Sequence, residues 1–156
     1  MTDIEVLDYL RELQRQRSRL DGEMVRAMAH FHALRREYAG GKYAADEVAA
    51  ALSWSPLTAS SLVNTAVQLV ERLPATVAAV ESGRLDMPKA RAILEWTEPL
   101  PVEQARQVAA TVHDWSVDRT PTALRQKLSR EVLKIDPHAA EARRRERQAP
   151  QGQLLP

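Results

Sequence analysis

The chain has 156 residues, 44% apolar, 28% charged and 4% aromatic, with no Cys and a net charge of +1. That length gives one domain with a buried core, and the absence of thiols excludes disulfides, thiolate metal sites and cysteine nucleophiles. No run of about 18 apolar residues exists to span a membrane, and no basic-then-apolar signal pattern opens the chain, so the expected compartment is the cytoplasm. With few aromatics, Ala, Leu and Val must build the core, and Ala and Leu are strong helix formers. The expected fold is all-α: a compact multi-helix domain with a long N-terminal helix and a helix-turn-helix-like hairpin.

The first helix is predicted over about 3–39 and ends at Gly40-Gly41. Within it Val6, Leu10, Leu13, Arg17, Leu20, Met24, Ala27, Phe31, Leu34 and Tyr38 alternate by four and three, an a/d seam interrupted by Arg17. Two readings compete. The helix pairs with its copy in another chain through Leu10, Leu13, Leu20, Met24, Phe31 and Leu34, or its second half packs on its own domain while the first half projects. Gly22 beside the seam weakens a perfect coiled coil, since Gly costs roughly 1 kcal/mol in a helix.

Next come predicted helices over 44–52 and 56–73, joined by a tight turn at Ser53, Trp54 and Ser55, the outline of a helix-turn-helix DNA reader. On a helical wheel the second of them shows a broad apolar arc and a polar stripe of Ser60, Ser61, Asn64, Thr65 and Gln68. Asn and Gln can read adenine edges. Phosphate contacts need Lys or Arg, and none lies between Tyr43 and Glu71. The hairpin therefore reads as structure before it reads as a DNA contact.

Proline and short polar residues mark the later starts. Ser55-Pro56, Thr120-Pro121 and Asp136-Pro137 pair a cap with a first-turn proline; Asp86 before Pro88 is a looser case. Helices are predicted over 74–82, 87–97, 101–115, 121–135 and 137–148, with Gly83 as a C-terminal cap. Residues 1–148 then form a single helical domain, the long helix followed by a compact core over about 44–148, and the aperiodic tail 149–156 is expected to be disordered. Charge divides along the chain: residues 1–118 carry 13 Lys/Arg against 17 Asp/Glu, residues 119–156 carry 9 against 4. Leu124, Leu128, Val132 and Ile135 form an apolar face, while Lys127, Arg130 and Lys134 share another and Arg143, Arg144, Arg145 and Arg147 follow. These seven basic residues are the candidate nucleic-acid contact; the plain alternative is a solvated helix surface.

No catalytic constellation is present. His30 and His32 point about 160° apart on a helix and cannot share a metal. His113-Asp114 reads as a polar helix end, and Trp54, Trp96 and Trp115 read as packing anchors. No carboxylate pair, nucleophile elbow or Gly-rich phosphate loop is found. Neither a cofactor nor a metal is expected.

The segment ERLPATVAAVESGRLDMPKARAILEWT (Glu71 to Thr97) resembles the core signature of the 13E12-repeat family, domain of unknown function 222. TPTALRQKLSREVLKIDPHAAEARRR (Thr120 to Arg145) is similar to its second half, and Glu47 to Ala66 fits the segment before the signature. The resemblance implies an actinobacterial source and a helical domain of the kind usually found ahead of an HNH endonuclease module. The His, Asn and metal-binding residues of that module are missing here, so its activity is not carried over. The expected function is a non-catalytic accessory module, engaging DNA through the basic C-terminal part. The alternative is a protein-interaction or dimerisation module, working through the long N-terminal helix, with no nucleic-acid binding.

Overall fold

The computed structural model describes residues 1–41 and 43–148, with the side chains at 40, 139–143 and 147 excepted. The tail over 149–156, expected to be disordered, lies outside the described residues. Among these residues the chain forms eight α-helices and no strand: α1 (Asp3–Arg35), α2 (Ala44–Leu52), α3 (Pro56–Arg72), α4 (Pro74–Glu81), α5 (Met87–Thr97), α6 (Val102–Ser116), α7 (Pro121–Ile135) and α8 (Pro137–Gln148).

The helix starts follow from local chemistry. Thr2 and Glu5 form a capping box on α1, the Thr2 side chain accepting from Glu5 N–H and Glu5 from Thr2 N–H, which satisfies two otherwise orphaned donors. Ser55, Asp86 and Thr120 each accept from the backbone N–H three residues on, ahead of α3, α5 and α7. Pro56, Pro74, Pro88 and Pro121 occupy first-turn positions, where a missing N–H costs nothing. The ends are equally local. Ser53 caps α2 with φ +56° and Gly83 follows α4 with φ +81°, the left-handed turns that stop a helix. α1 ends at Arg35 rather than near 39, because the chain tightens there into a 3₁₀ turn, Ala39–Gly41, in which Gly41 N–H bonds the Tyr38 carbonyl and Gly41 has φ +82°.

The core is small-residue packing around α5, where Met87, Ala90, Ala92, Ile93, Trp96 and Thr97 are buried. Leu69, Leu73, Val77 and Val80 close on it from α3 and α4, Val108 and Val112 from α6, and Leu124, Leu128 and Val132 from α7. A fully buried Leu or Val contributes about 1.5–3 kcal/mol relative to exposure. Of the three tryptophans, Trp96 lies inside, and Trp54 and Trp115 pack half-buried against the cluster.

α1 is anchored along only part of its length. Its first nine residues are all exposed, and its buried residues are Ser18, Gly22, Val25 and Met28. α1 packs on α3 and α4, Gly83 lies close to Arg15, and Leu10 and Leu13 share a cleft with Met87 and Pro88, so the second half of the helix packs on the domain and its first turns project. At Gly22 the backbones of α1 and α4 come close: a Cβ there would lie 2.7 Å from Glu81 Cγ and 2.9 Å from Glu81 Cα and N. The bond from Arg26 Nε to Glu81 Oε1, 2.7 Å, fastens the same crossing.

Candidate functional site

The wheel of α1 carries two apolar arcs. Ser18, Gly22, Val25 and Met28 form the arc turned to the domain. The a/d seam lies roughly 120° around the helix from it. Five of its six candidate residues stand in solvent: Leu10 is 54% exposed, Leu13 41%, Leu20 62%, Met24 37% and Leu34 56%. The sixth, Phe31, is half-buried and packs on the core, with the Arg35 guanidinium 5.0 Å from its ring centre. The projecting end adds Ile4, Val6, Leu7 and Tyr9, all exposed. Scattered exposed apolar residues are ordinary; Leu10, Leu13, Leu20, Met24 and Leu34 differ in repeating at heptad spacing along one helix.

The hairpin α2–α3 has the helix-turn-helix outline, with Ser60, Ser61 and Asn64 of its polar stripe exposed and Thr65 and Gln68 half-buried. Asn64, Thr65 and Gln68 line a cleft of about 410 Å³ whose other wall is Arg91, Leu94 and Glu95 of α5. The nearest following basic residue, Arg72, is taken: its Nη2 donates to the carbonyls of Leu100 at 2.8 Å and Thr97 at 3.3 Å. Arg106 returns the arrangement, donating to the carbonyls of Arg72 at 2.9 Å and Glu71 at 3.1 Å. Lys89 does the same for α6: its Nζ is buried and donates to the Ser116 and Val117 carbonyls at 2.8 and 3.2 Å. Three cations thus satisfy helix-end carbonyls that would otherwise be orphaned. Sequence reading missed all three, because each pairing exists only where two helices meet in the fold. It missed Arg91 beside the polar stripe for the same reason.

The basic C-terminal residues fall into two groups. Lys127 and Lys134 both bind one carboxylate, Glu131, at 3.3 and 3.1 Å. The hydrogen bond from Lys134, followed by that from Lys127, holds the Glu131 carboxyl below its usual range. Lys127 also sits 5.7 Å from the centre of the Trp115 ring, which Arg119 approaches to 5.0 Å. Arg130, Arg144 and Arg145 are exposed. The side chains of Arg143 and Arg147 lie outside the described residues. Leu124, Leu128 and Val132 are buried as the apolar face requires, each at 1% exposure or less.

The histidines are dispersed. His30 is exposed, His32 lies half-buried 3.2 Å from where a Cβ on Gly41 would sit, and His113 is half-buried with Nε2 2.7 Å from Thr76 Oγ1. Burial, then the nearby Arg84, pushes the His113 imidazole below its ordinary value, against the opposing pull of Asp114. Among the described residues no group of three His, Asp or Glu is placed to hold a metal ion, and no helix is long and apolar enough to cross a membrane.

No curated protein and no solved structure matches this chain. The signature segment from Glu71 to Thr97 supplies the α4–α5 turn, Gly83 with its positive φ, the Asp86 cap and the buried Lys89, so its residues are explained as fold-making ones. A family model described as a domain of unknown function, DUF222, matches residues 7–154, nearly the whole chain, and the protein belongs to that family.

Proposed function

We propose that this domain is a non-catalytic association module that pairs with its own copy through the open arc of α1. One observation carries the reading: a helix of 33 residues, whose buried residues begin at Ser18, presents Leu10, Leu13, Leu20 and Met24 to solvent, each at least 37% exposed. A heptad-spaced apolar stripe on a preformed helix suits a second helix, which buries it knob into hole. Because the helix is already ordered by its own domain from Ser18 onward, association has less ordering entropy to supply. Light scattering on the Leu10→Asp/Leu13→Asp variant tests this. The variant should stay folded, since both positions are exposed, and should remain at the 17.5 kDa monomer mass at concentrations where the parent chain is heavier. A parent chain that is monomeric under the same conditions would refute the reading.

A second reading keeps nucleic acid as partner and rests on Arg130, Arg144 and Arg145, which are exposed on α7 and α8. It gains less support, since Lys127 and Lys134 are engaged with Glu131 and Arg72, the basic residue that follows the α3 polar stripe, is engaged with the Thr97 and Leu100 carbonyls. Phosphate contacts make affinity fall steeply with salt. Fluorescence anisotropy of a labelled duplex at low and physiological salt, beside the Arg130→Glu/Arg144→Glu variant, checks it; binding lost in the variant and weakened by salt is the outcome this second reading requires.

A further inference from the structure

We infer that α1 pairs with its copy antiparallel, with Leu10 of one copy against Leu13 of the other; this rests on the association reading above. The interruption of the seam decides the orientation. Arg17 occupies a core position of the heptad, is exposed, and among the described residues has no ion-pair partner. In a parallel, in-register pair it would face Arg17 of the other copy, a like-charge contact in the middle of an apolar seam. In an antiparallel pair, setting Leu10 against Leu13 places Arg17 opposite Val6 by the same offset. The carboxylate of Asp3, one heptad before Leu10, flanks that position on the seam side of the helix.

The order of charges along α1 agrees. Residues 3–12 hold Asp3, Glu5, Asp8 and Glu12 against the single Arg11, and residues 15–19 hold Arg15, Arg17 and Arg19. Antiparallel overlap lays the acidic stretch of each copy along the basic stretch of the other; parallel overlap lays like on like. The apolar register and the charge order select the same centre, between residues 11 and 12. An overlap over residues 3–20 covers roughly 27 Å of helix and sets the buried stretches that begin at Ser18 at opposite ends of the contact, with Met87 and Pro88 of each domain beside Leu10, Leu13 and Arg17 at its margin.

The chain has no Cys, so one introduced thiol reports orientation without background. Glu23→Cys carries a nitroxide at an exposed position, and pulsed electron resonance measures the distance between the two labels while sedimentation on the same sample gives the mass. Antiparallel pairing about the stated centre separates the labels by about 35 Å along the axis; parallel pairing holds them side by side, within about 20 Å. A dimer with the long distance supports the inference. A dimer with the short distance overturns it and leaves self-association standing, whereas a monomer at every concentration overturns both. Arg17→Glu gives the second arm: it sets a carboxylate near Asp3 and places the acidic stretch against a stretch that has lost a cation, and dimer affinity should drop by roughly tenfold or more, with the monomer's helical signal unchanged. Undiminished dimerisation of Arg17→Glu would overturn the register.

Discussion

Gly22 and His113 make the most specific demands of any residues here. Glycine costs roughly 1 kcal/mol against alanine inside a helix, so Gly22→Ala gains stability if only α1 is considered. The added Cβ, however, would lie 2.9 Å from Glu81 Cα and N, and backbone cannot swing aside as a flexible side chain does. Overpacking of this kind costs typically 1–3 kcal/mol, so the clash outweighs the gain, and urea denaturation of Gly22→Ala should show a net loss of about 1 kcal/mol. His113 makes a demand on pH. Its folded pKa is depressed below the ordinary 6.5, chiefly by burial, so the unfolded chain binds its proton more readily. The stability from neutral His113 is complete above about pH 6.5 and is lost as pH falls from there through the folded value. Thermal melts between pH 8 and pH 5 should show the parent losing stability faster than His113→Gln, whose amide can still meet Thr76. Parallel curves would mean that the imidazole is not held neutral.

At the scale of elements, α7 separates buried from surface chemistry within two adjacent residues. Leu128 has 0% exposure, and Leu128→Asp places an unpaired charge in the core, a loss on the order of 4 kcal/mol or more that should unfold the C-terminal helices. Lys127→Glu with Arg130→Glu removes one partner of Glu131 and a cation beside Trp115. Both are partly exposed interactions worth about 1 kcal/mol or less, so circular dichroism melts should part the two variants widely. α1 allows a cleaner cut. Nothing before Ser18 is buried, and the tie from Gln14 Nε2 to Asp86 is long, at 3.4 Å. Deleting residues 1–13 should therefore leave the melting transition of the rest within a few degrees of the parent, and a collapse of the fold would show that the projecting end is structural.

Over the whole molecule, the helix starts were legible because their chemistry is local: a cap, a proline, a glycine with positive φ. Ser55, Asp86 and Thr120 act within three residues of themselves, and an unaligned sequence shows that much. The apolar faces of α3 and α7 were legible for the same reason, as periodicities inside one helix. The face α1 turns to its domain was not. The seam's large residues attract the eye, whereas the packed arc is marked by Ser18 and Gly22, small residues that let Glu81 come close. The end of α1 was overrun because the seam continues to Tyr38 past the point where the chain tightens. Arg72, Lys89 and Arg106 were unreadable as helix-end staples, since each meets its carbonyls only where two or more helices are already packed. The candidate site shared this limit. The open arc of α1 was visible as a stripe, but only the fold separates a stripe that is used from one that is left free.

The most direct test of the central claim is sedimentation equilibrium of the intact chain over a wide concentration range at physiological salt, with Leu13→Asp alongside. The account requires the parent's molar mass to climb from 17.5 kDa toward twice that value, while Leu13→Asp, equally folded, stays at the lower one. A parent that holds the monomer mass throughout, or a variant that associates as the parent does, would contradict it.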